Sequence, residues 1–180
     1  MMKPLKDFTI QFVGLKQGKH CFEYKIDKKF FKHFEYDEFN NARININVVL
    51  NKKATLLELH FEASGTVNIN CDLTNEPYNQ EINNSFDLVV NFGVEYNNEN
   101  EEILILPYAE YEINIAQYIY ELIVLSVPFK RLHPGIKDGT LNSDIFDRLE
   151  ELSPKRLEDK DENEDIDPRW NSLKKLLTDK

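Results

Sequence analysis

Several features that would place this chain of 180 residues in a common class of protein are missing. Its two cysteines, Cys21 and Cys71, lie far apart and make no disulfide framework. No run of about 18 apolar residues could span a bilayer, and the beginning, MMKPLKDFTI, lacks the apolar core and cleavage site of a secretory signal. These absences predict a reduced, soluble, cytoplasmic protein that makes no contact with a membrane.

Patterns that carry catalysis or cofactor binding are also missing. The four histidines, His20, His33, His60 and His133, include no pair at the three- or four-residue spacing of helical metal ligands. The six glycines are scattered, so there is no glycine-rich phosphate loop. Ser172 begins a Ser-x-x-Lys match, but the companion motifs of that nucleophile are absent. We therefore expect no enzymatic activity, no cofactor and no metal ion.

The charge of the chain is acidic overall and unevenly distributed. The formal net charge is −10, which argues against a generally basic nucleic-acid coat and against a membrane-surface protein. Residues 1–60 carry eleven Lys and Arg against seven Asp and Glu, whereas residues 61–180 carry eleven against twenty-five. The N-terminal third is therefore basic although the whole chain is acidic.

Alternation of apolar and polar residues predicts β-strands, because successive side chains of a strand face opposite sides. The runs ARININVVL, TLLELHFEASG, TVNINCD and SFDLVVNFGVEY all alternate. Their predicted inward residues are Ile44, Ile46, Val48, Leu57, Leu59, Phe61, Ala63, Val67, Ile69, Cys71, Phe86, Leu88, Val90 and Phe92. Ser64 and Gly65 separate the second and third runs, which we interpret as a β-hairpin. These four runs predict an antiparallel sheet with one buried face, and the earlier runs DFTIQFVGL and HCFEYKI are expected to add strands.

The run INIAQYIYELIVLSVP changes to helical periodicity. It is apolar nearly all round, with a narrow polar stripe formed by Asn114, Gln117 and Glu121. Asn114 is a suitable N-cap and Pro128 a suitable stop. The pattern predicts a buried helix packed on the sheet, and so an α+β domain over residues 1–152.

Residues 153–180 are predicted to form an acidic linker and a C-terminal helix. The run from Glu158 to Asp165 contains six acids and one lysine, a composition that builds no core. Asp167 then provides an N-cap and Pro168 the first helical position. We expect a partner to contact Asp167, Pro168, Arg169, Trp170, Leu173 and Leu177, and RNA to contact Lys174 and Lys175. The alternative is an ordinary C-terminal helix docked on its own domain.

The segment KIDKKFFKHFEY is a second candidate for RNA contact. Lys28, Lys29 and Lys32 would bind phosphates while the neighbouring phenylalanines stack on bases. The alternative is a short amphipathic helix whose phenylalanines lie in the core and whose lysines lie in water. The sequence alone leaves both readings open.

Three segments in this order resemble the YceD family, the large ribosomal RNA subunit accumulation proteins. They are ASGTVNINCDLTNEPYNQEI, similar to the family's strand pair and cysteine knuckle, INIAQYIYELIVLSVPFKRLH, similar to its apolar helix and terminating proline, and IDPRWNSLKKLL, similar to its C-terminal Asp-Pro-Arg-aromatic signature. The resemblance implies a role in accumulation of large-subunit ribosomal RNA and in large-subunit assembly. Expected partners are therefore large-subunit ribosomal RNA, a large-subunit ribosomal protein, or both.

The chain departs from the family pattern at the knuckle. Where the family commonly has Cys-x-x-Cys, this sequence has Cys71-Asp72-Leu73-Thr74. One thiolate does not complete a tetrahedral zinc site of four ligands, so Cys71 is expected to be a buried core thiol.

Overall fold

A computed structural model describes residues 5–100, 102–137, 148 and 151–152. After a single 3₁₀ turn at Lys6–Phe8, the described residues up to 137 contain seven strands and three helices. The strands are β1 (Thr9–Ile10), β2 (Gly18–Asp27), β3 (Asn41–Lys52), β4 (Leu56–Asn70), β5 (Pro77–Gly93), β6 (Ile103–Pro107) and β7 (Ile113–Asn114). The helices are α1 (Lys28–Lys32), α2 (Ala116–Ser126) and α3 (Pro134–Lys137).

The strands form a five-stranded sheet in the order β2-β3-β4-β5-β6, and β1 pairs separately with β7. Neighbours from β2 to β5 are antiparallel, which confirms the predicted α+β class, but β6 runs parallel to β5. Before the chain reaches this parallel position, residue Asn97 pairs antiparallel with Ile105 of β6. There Asn97 and Ile105 exchange backbone hydrogen bonds of 3.0 and 2.8 Å.

The predicted hairpin at Ser64 and Gly65 is wrong, because β4 continues through both residues. Ser64 pairs with Asn45 on one side and Asn83 on the other, as an interior position of a strand does. From Leu57 to Cys71, the odd-numbered side chains all face the core. One continuous strand requires this regular alternation, whereas two strands joined by a tight turn do not. Gly65 has a φ of +150°, and it is a point where the backbone of β3 passes very close.

The predicted inward face of the sheet is confirmed as the core. Every predicted inward side chain is buried except those of Phe86 and Phe92, which are partly buried and pack against the core. Helix α2 covers this face through Ile119 and Ile123, which have no exposed surface. Burial of each such side chain stabilises the fold by roughly 1.5–3 kcal/mol.

The ends of α2 follow the predicted signals closely. The side chain of Asn114 accepts a hydrogen bond from the backbone N–H of Ala116 at 3.1 Å, although the cap position itself is Ile115, one residue later than predicted. The helix ends at Ser126, and extended Val127 leads into Pro128. Within the described ranges, no helix is long and apolar enough to cross a membrane.

Candidate functional site

Helix α1 joins the end of β2 to the core. The carboxylate of Asp27 caps it by accepting a hydrogen bond from the backbone N–H of Lys29 at 2.9 Å. Phe30 and Phe31 are buried, and the ring of Phe31 packs edge-on against Phe39 with their centroids 4.8 Å apart. Because these phenylalanines are part of the core, they do not offer bases a stacking surface.

The third phenylalanine of this segment attaches it to the main helix. The ring of Phe34 stacks on Tyr120 of α2, with a centroid separation of 4.3 Å and an interplanar angle of 8°. On the other side, Lys29 and Lys32 are exposed and Lys28 is half-buried. The segment is therefore a short amphipathic helix with its phenylalanines towards the core and its lysines towards solvent. Phosphate contact by the three lysines stays a prediction.

The remaining predicted site residues lie outside the described residues. These are Asp167, Pro168, Arg169, Trp170, Leu173, Lys174, Lys175 and Leu177. The predicted linker before them lies there too, so both remain predictions from sequence.

The Cys71 turn, residues 71–76, connects β4 to β5 and is tied to the segment after α2. Cys71 is only 2% exposed, and its Sγ accepts a hydrogen bond from the backbone N–H of His133 at 3.3 Å. Asp72 and Arg131 are joined twice, by the Asp72 N–H to the Arg131 carbonyl at 2.8 Å and by the Arg131 N–H to Asp72 Oδ2 at 2.7 Å. The inward position predicted for Cys71 is confirmed.

The surroundings of this thiol act on its pKa in opposite directions. Burial raises the pKa of Cys71, but hydrogen bonds from the Thr74 side chain and from the backbone N–H groups of His133, Thr74 and Leu73 lower it, and the net direction is down. No group of three or more His, Cys, Asp or Glu side chains in the part of the chain that the structure describes is placed to hold a metal ion.

Three of the histidines make specific structural contacts. The His60 ring bonds Asp87 on the adjacent strand at 2.5 Å, and the His20 ring bonds the Lys16 carbonyl at 2.8 Å. The His133 ring accepts a hydrogen bond from the backbone N–H of Gly135 at 3.0 Å.

The charges are divided along the chain more unevenly than the net charge indicates. Residues 54–129 contain thirteen Asp and Glu and no Lys or Arg. This stretch provides β4, β5, β6 and α2, so it forms most of the sheet and its covering helix. Most of the sheet and its covering helix are therefore acidic, whereas helix α1 beside them is basic. The absence of Lys and Arg from this stretch is visible in the sequence, but it is missed when charges are summed only over residues 1–60 and 61–180.

A groove of about 1090 Å³ runs along α2, and we call it the α2 groove. Its apolar and aromatic lining consists of Phe86, Tyr96, Leu106, Pro107, Ile113, Tyr118, Tyr120, Leu122, Val124 and Leu125. Its polar lining consists of Asn84, Ser85, Asn98, Asn100, Glu110, Glu112, Asn114, Gln117 and Glu121. One feature of the sequence indicates this groove. Helix α2 is apolar on nearly every side, whereas packing on a single sheet requires only one apolar face.

Comparison with known proteins identifies the family. The family model described as "Large ribosomal RNA subunit accumulation protein YceD" matches residues 59–177. The chain belongs to the YceD family. No match was found among curated proteins or among solved structures.

The match covers the greater part of the chain and confirms the resemblance seen in the sequence. It includes the Cys71 turn, α2, the α2 groove and the C-terminal Trp170 segment, whereas the α1 lysines precede it. Membership of the YceD family implies involvement in accumulation of large-subunit ribosomal RNA.

Proposed function

We propose that this YceD-family protein is a non-enzymatic cytoplasmic factor for assembly of the large ribosomal subunit. It supports accumulation of large-subunit ribosomal RNA by binding that RNA, a basic ribosomal protein, or both. The observation that carries the proposal is the family match over residues 59–177.

The charge distribution supports two kinds of contact. The acidic stretch 54–129 complements the positive charge of a basic ribosomal protein and would speed its capture. The exposed lysines Lys29 and Lys32 complement phosphate groups. A single protein with both surfaces could hold a ribosomal protein close to the RNA on which it assembles.

The contacts of the titratable groups support a role without catalysis. The thiol of Cys71 is held by backbone N–H groups inside the fold, and the rings of His20, His60 and His133 bond structural partners. Nothing in these contacts pairs a nucleophile with a base, which is the arrangement that covalent catalysis requires.

Deletion of the gene tests the proposal. We expect fewer free and assembled large subunits relative to small subunits in sucrose-gradient sedimentation, together with less large-subunit RNA. Expression of the wild-type chain from a plasmid should restore both. Unchanged subunit ratios and unchanged RNA levels would contradict the proposed function.

A second candidate is a protein adaptor that acts independently of RNA. The acidic stretch 54–129 favours it, since that surface repels phosphates. Affinity capture with and without nuclease separates the two candidates. Partners that disappear after nuclease treatment depend on RNA, whereas partners retained after it bind the protein directly.

A further inference from the structure

The floor of the α2 groove is aromatic and partly open to solvent. The rings of Phe86 and Tyr118 stack with a centroid separation of 6.3 Å and an interplanar angle of 14°. Tyr96, which also lines the groove, is 57% exposed, and Leu125 at the end of α2 is 80% exposed. Large apolar side chains that remain exposed next to one another typically mark a binding surface.

The helix that forms one wall is anchored firmly, so the groove is a preformed feature. Asn84 of β5 donates a hydrogen bond to the hydroxyl of Ser126 at 3.0 Å, and Ser126 in turn bonds the Leu122 carbonyl. The buried residues Ile119 and Ile123 hold the opposite side of α2 on the sheet. The sheet covers one side of this apolar helix and Phe34 stacks on it at Tyr120, and the groove runs along part of the remaining surface.

The rim of the groove is acidic. Glu110, Glu112 and Glu121 line it, and within the described ranges none of the three forms a salt bridge. No Lys or Arg is among the residues that line the groove. A positively charged ligand is therefore complementary to the glutamates of this lining, which would repel an RNA phosphate backbone.

The groove also offers hydrogen-bonding groups suited to a polypeptide. Tyr118 contributes a hydroxyl that can donate and accept hydrogen bonds, and burial, with Tyr96 and Glu121 nearby, raises its pKa to about 12. The amides of Asn98, Asn100 and Gln117 lie along the same walls. At about 1090 Å³, the groove lies at the upper end of the roughly 300–1,000 Å³ of small-molecule pockets and has room for a short peptide segment.

We propose that the α2 groove binds a Lys- and Arg-rich segment of a large-subunit ribosomal protein, with one aromatic or large aliphatic side chain seated between Tyr96, Tyr118 and Leu125. The inference rests on the proposed function and adds to it the surface and the chemistry of the protein partner. The basic residues of the segment meet the three glutamates, and the anchor side chain covers the exposed apolar floor.

Fluorescence anisotropy of the full chain tests the charge requirement. The probe is a labelled synthetic peptide in which Lys and Arg alternate with small residues around one central Trp. We expect Glu110→Gln with Glu121→Gln to weaken binding about tenfold. The matched control is Glu23→Gln with Glu81→Gln, two exposed glutamates on the outer face of the sheet. Both pairs remove the same charge, so an equal loss in both would overturn the proposal by showing non-specific attraction.

The anchor is tested with a second matched pair. Tyr96→Ala should weaken binding of the Trp peptide about tenfold and should have little effect on a peptide whose Trp is replaced by Ser. Tyr111→Ala is the control, because Tyr111 is 56% exposed against 57% for Tyr96 and does not line the groove. If the Trp and Ser peptides bind the wild-type chain equally, the groove accepts no anchor and the proposal falls.

Other occupants give different results. If a large-subunit RNA fragment binds the wild-type chain and loses affinity in the Glu110 and Glu121 variant while the peptide does not, the groove is an RNA surface. If the same variant changes only the oligomeric state in sedimentation, the groove binds a second copy of the chain. Either result overturns the proposal.

The natural partner is tested with proteins extracted from purified large subunits and freed of RNA. The wild-type chain and the Glu23 and Glu81 control should retain a basic protein from this pool, and the groove variant should not. These measurements in vitro are independent of the deletion phenotype. Normal subunit ratios in the deletion strain would contradict only the proposed function. Equal retention of the basic protein by the wild type, the control and the groove variant would contradict only the groove inference.

Discussion

The carbonyl oxygen of Arg43 occupies the space that a Cβ atom on Gly65 would need, since the two atoms would lie 2.2 Å apart. Gly65 also has a φ of +150°, a conformation that residues with a side chain rarely adopt. Neither obstacle can be removed by a side-chain rotation, because both involve the backbones of paired strands. The middle of β4 therefore requires glycine.

We expect Gly65→Ala to lower the free energy of unfolding by about 3 kcal/mol or more, measured by urea denaturation. Gly14→Ala is the control, because nothing lies within 4 Å of a Cβ atom built there. It should change stability by about 0.5 kcal/mol or less. A Gly65→Ala protein as stable as the control would show that β3 and β4 are not paired as described.

The lysines of α1 should contribute to RNA binding without supporting the fold. Lys28→Glu, Lys29→Glu and Lys32→Glu together should leave stability within about 0.5 kcal/mol of wild type. They should also weaken binding of a large-subunit RNA fragment. The slope of log affinity against log salt concentration should fall by about one for each phosphate that a lysine no longer neutralises.

A filter-binding salt series checks this expectation against a variant of equal charge change. The exposed residues Lys16, Lys19 and Lys25 lie outside α1 and provide that control when each is changed to Glu. Equal losses of affinity in the two triple variants would show that RNA responds only to net charge and would rule out a specific role for α1.

Trp170 distinguishes a recognition helix from a structural one. Trp170→Ala should weaken partner binding by roughly 2 kcal/mol or more, as for truncation of an interface anchor, and should leave the melting temperature nearly unchanged. Calorimetry and thermal unfolding of the full chain provide the two readouts. Lys174→Glu with Lys175→Glu should add a salt-dependent loss if phosphate is contacted. A melting temperature lowered by several degrees, with binding intact, would favour the docked structural helix.

His60 should make stability depend on pH near neutrality. It lies directly opposite Asp87 on the neighbouring strand, and the hydrogen bond with Asp87 raises the pKa of His60 above its usual value of 6.5. Since the folded pKa is the higher one, the stabilisation is fully present below pH 6.5 and is lost as the pH rises through the folded value. Because the side chain is 40% exposed, we expect less than about 1 kcal/mol.

The measurement is the difference in unfolding free energy between the wild type and His60→Gln across this pH range. The difference should be largest at the acidic end and should disappear above the folded pKa. Asp87→Asn removes the main partner and should reduce the pH dependence to the smaller contribution of Glu62, which also bonds the His60 ring. A difference that grows as the pH rises would contradict the assignment.

The two thiols should react at very different rates. Cys21 is exposed, whereas Cys71 is 2% exposed and bonded to the backbone of His133. A thiol reagent such as DTNB should therefore modify one cysteine quickly in the folded chain and the second only after denaturation. Cys21→Ser should remove the fast phase. Two fast thiols in the native protein would show that the Cys71 turn is open.

Much of the fold could be predicted from the sequence because the relevant signals are local. The alternation from Leu57 to Cys71 assigns each side chain to one face of a strand, whatever that strand pairs with. Asn114 and Pro128 mark the ends of α2 because a cap and a proline act on the adjacent backbone. The acidic stretch 54–129 and the lysines of α1 are likewise properties of the chain itself.

Other features depend on residues that are distant in the sequence. Gly65 resembles a turn residue until β3 is placed beside it, since only the approach of Arg43 explains why a side chain is excluded. The α2 groove exists because Tyr118 and Leu125 of α2 meet Tyr96, which lies between β5 and β6, only after packing. Periodicity determines which face of an element is apolar, but which part of that face stays uncovered is decided by long-range packing, and therefore by the tertiary structure alone.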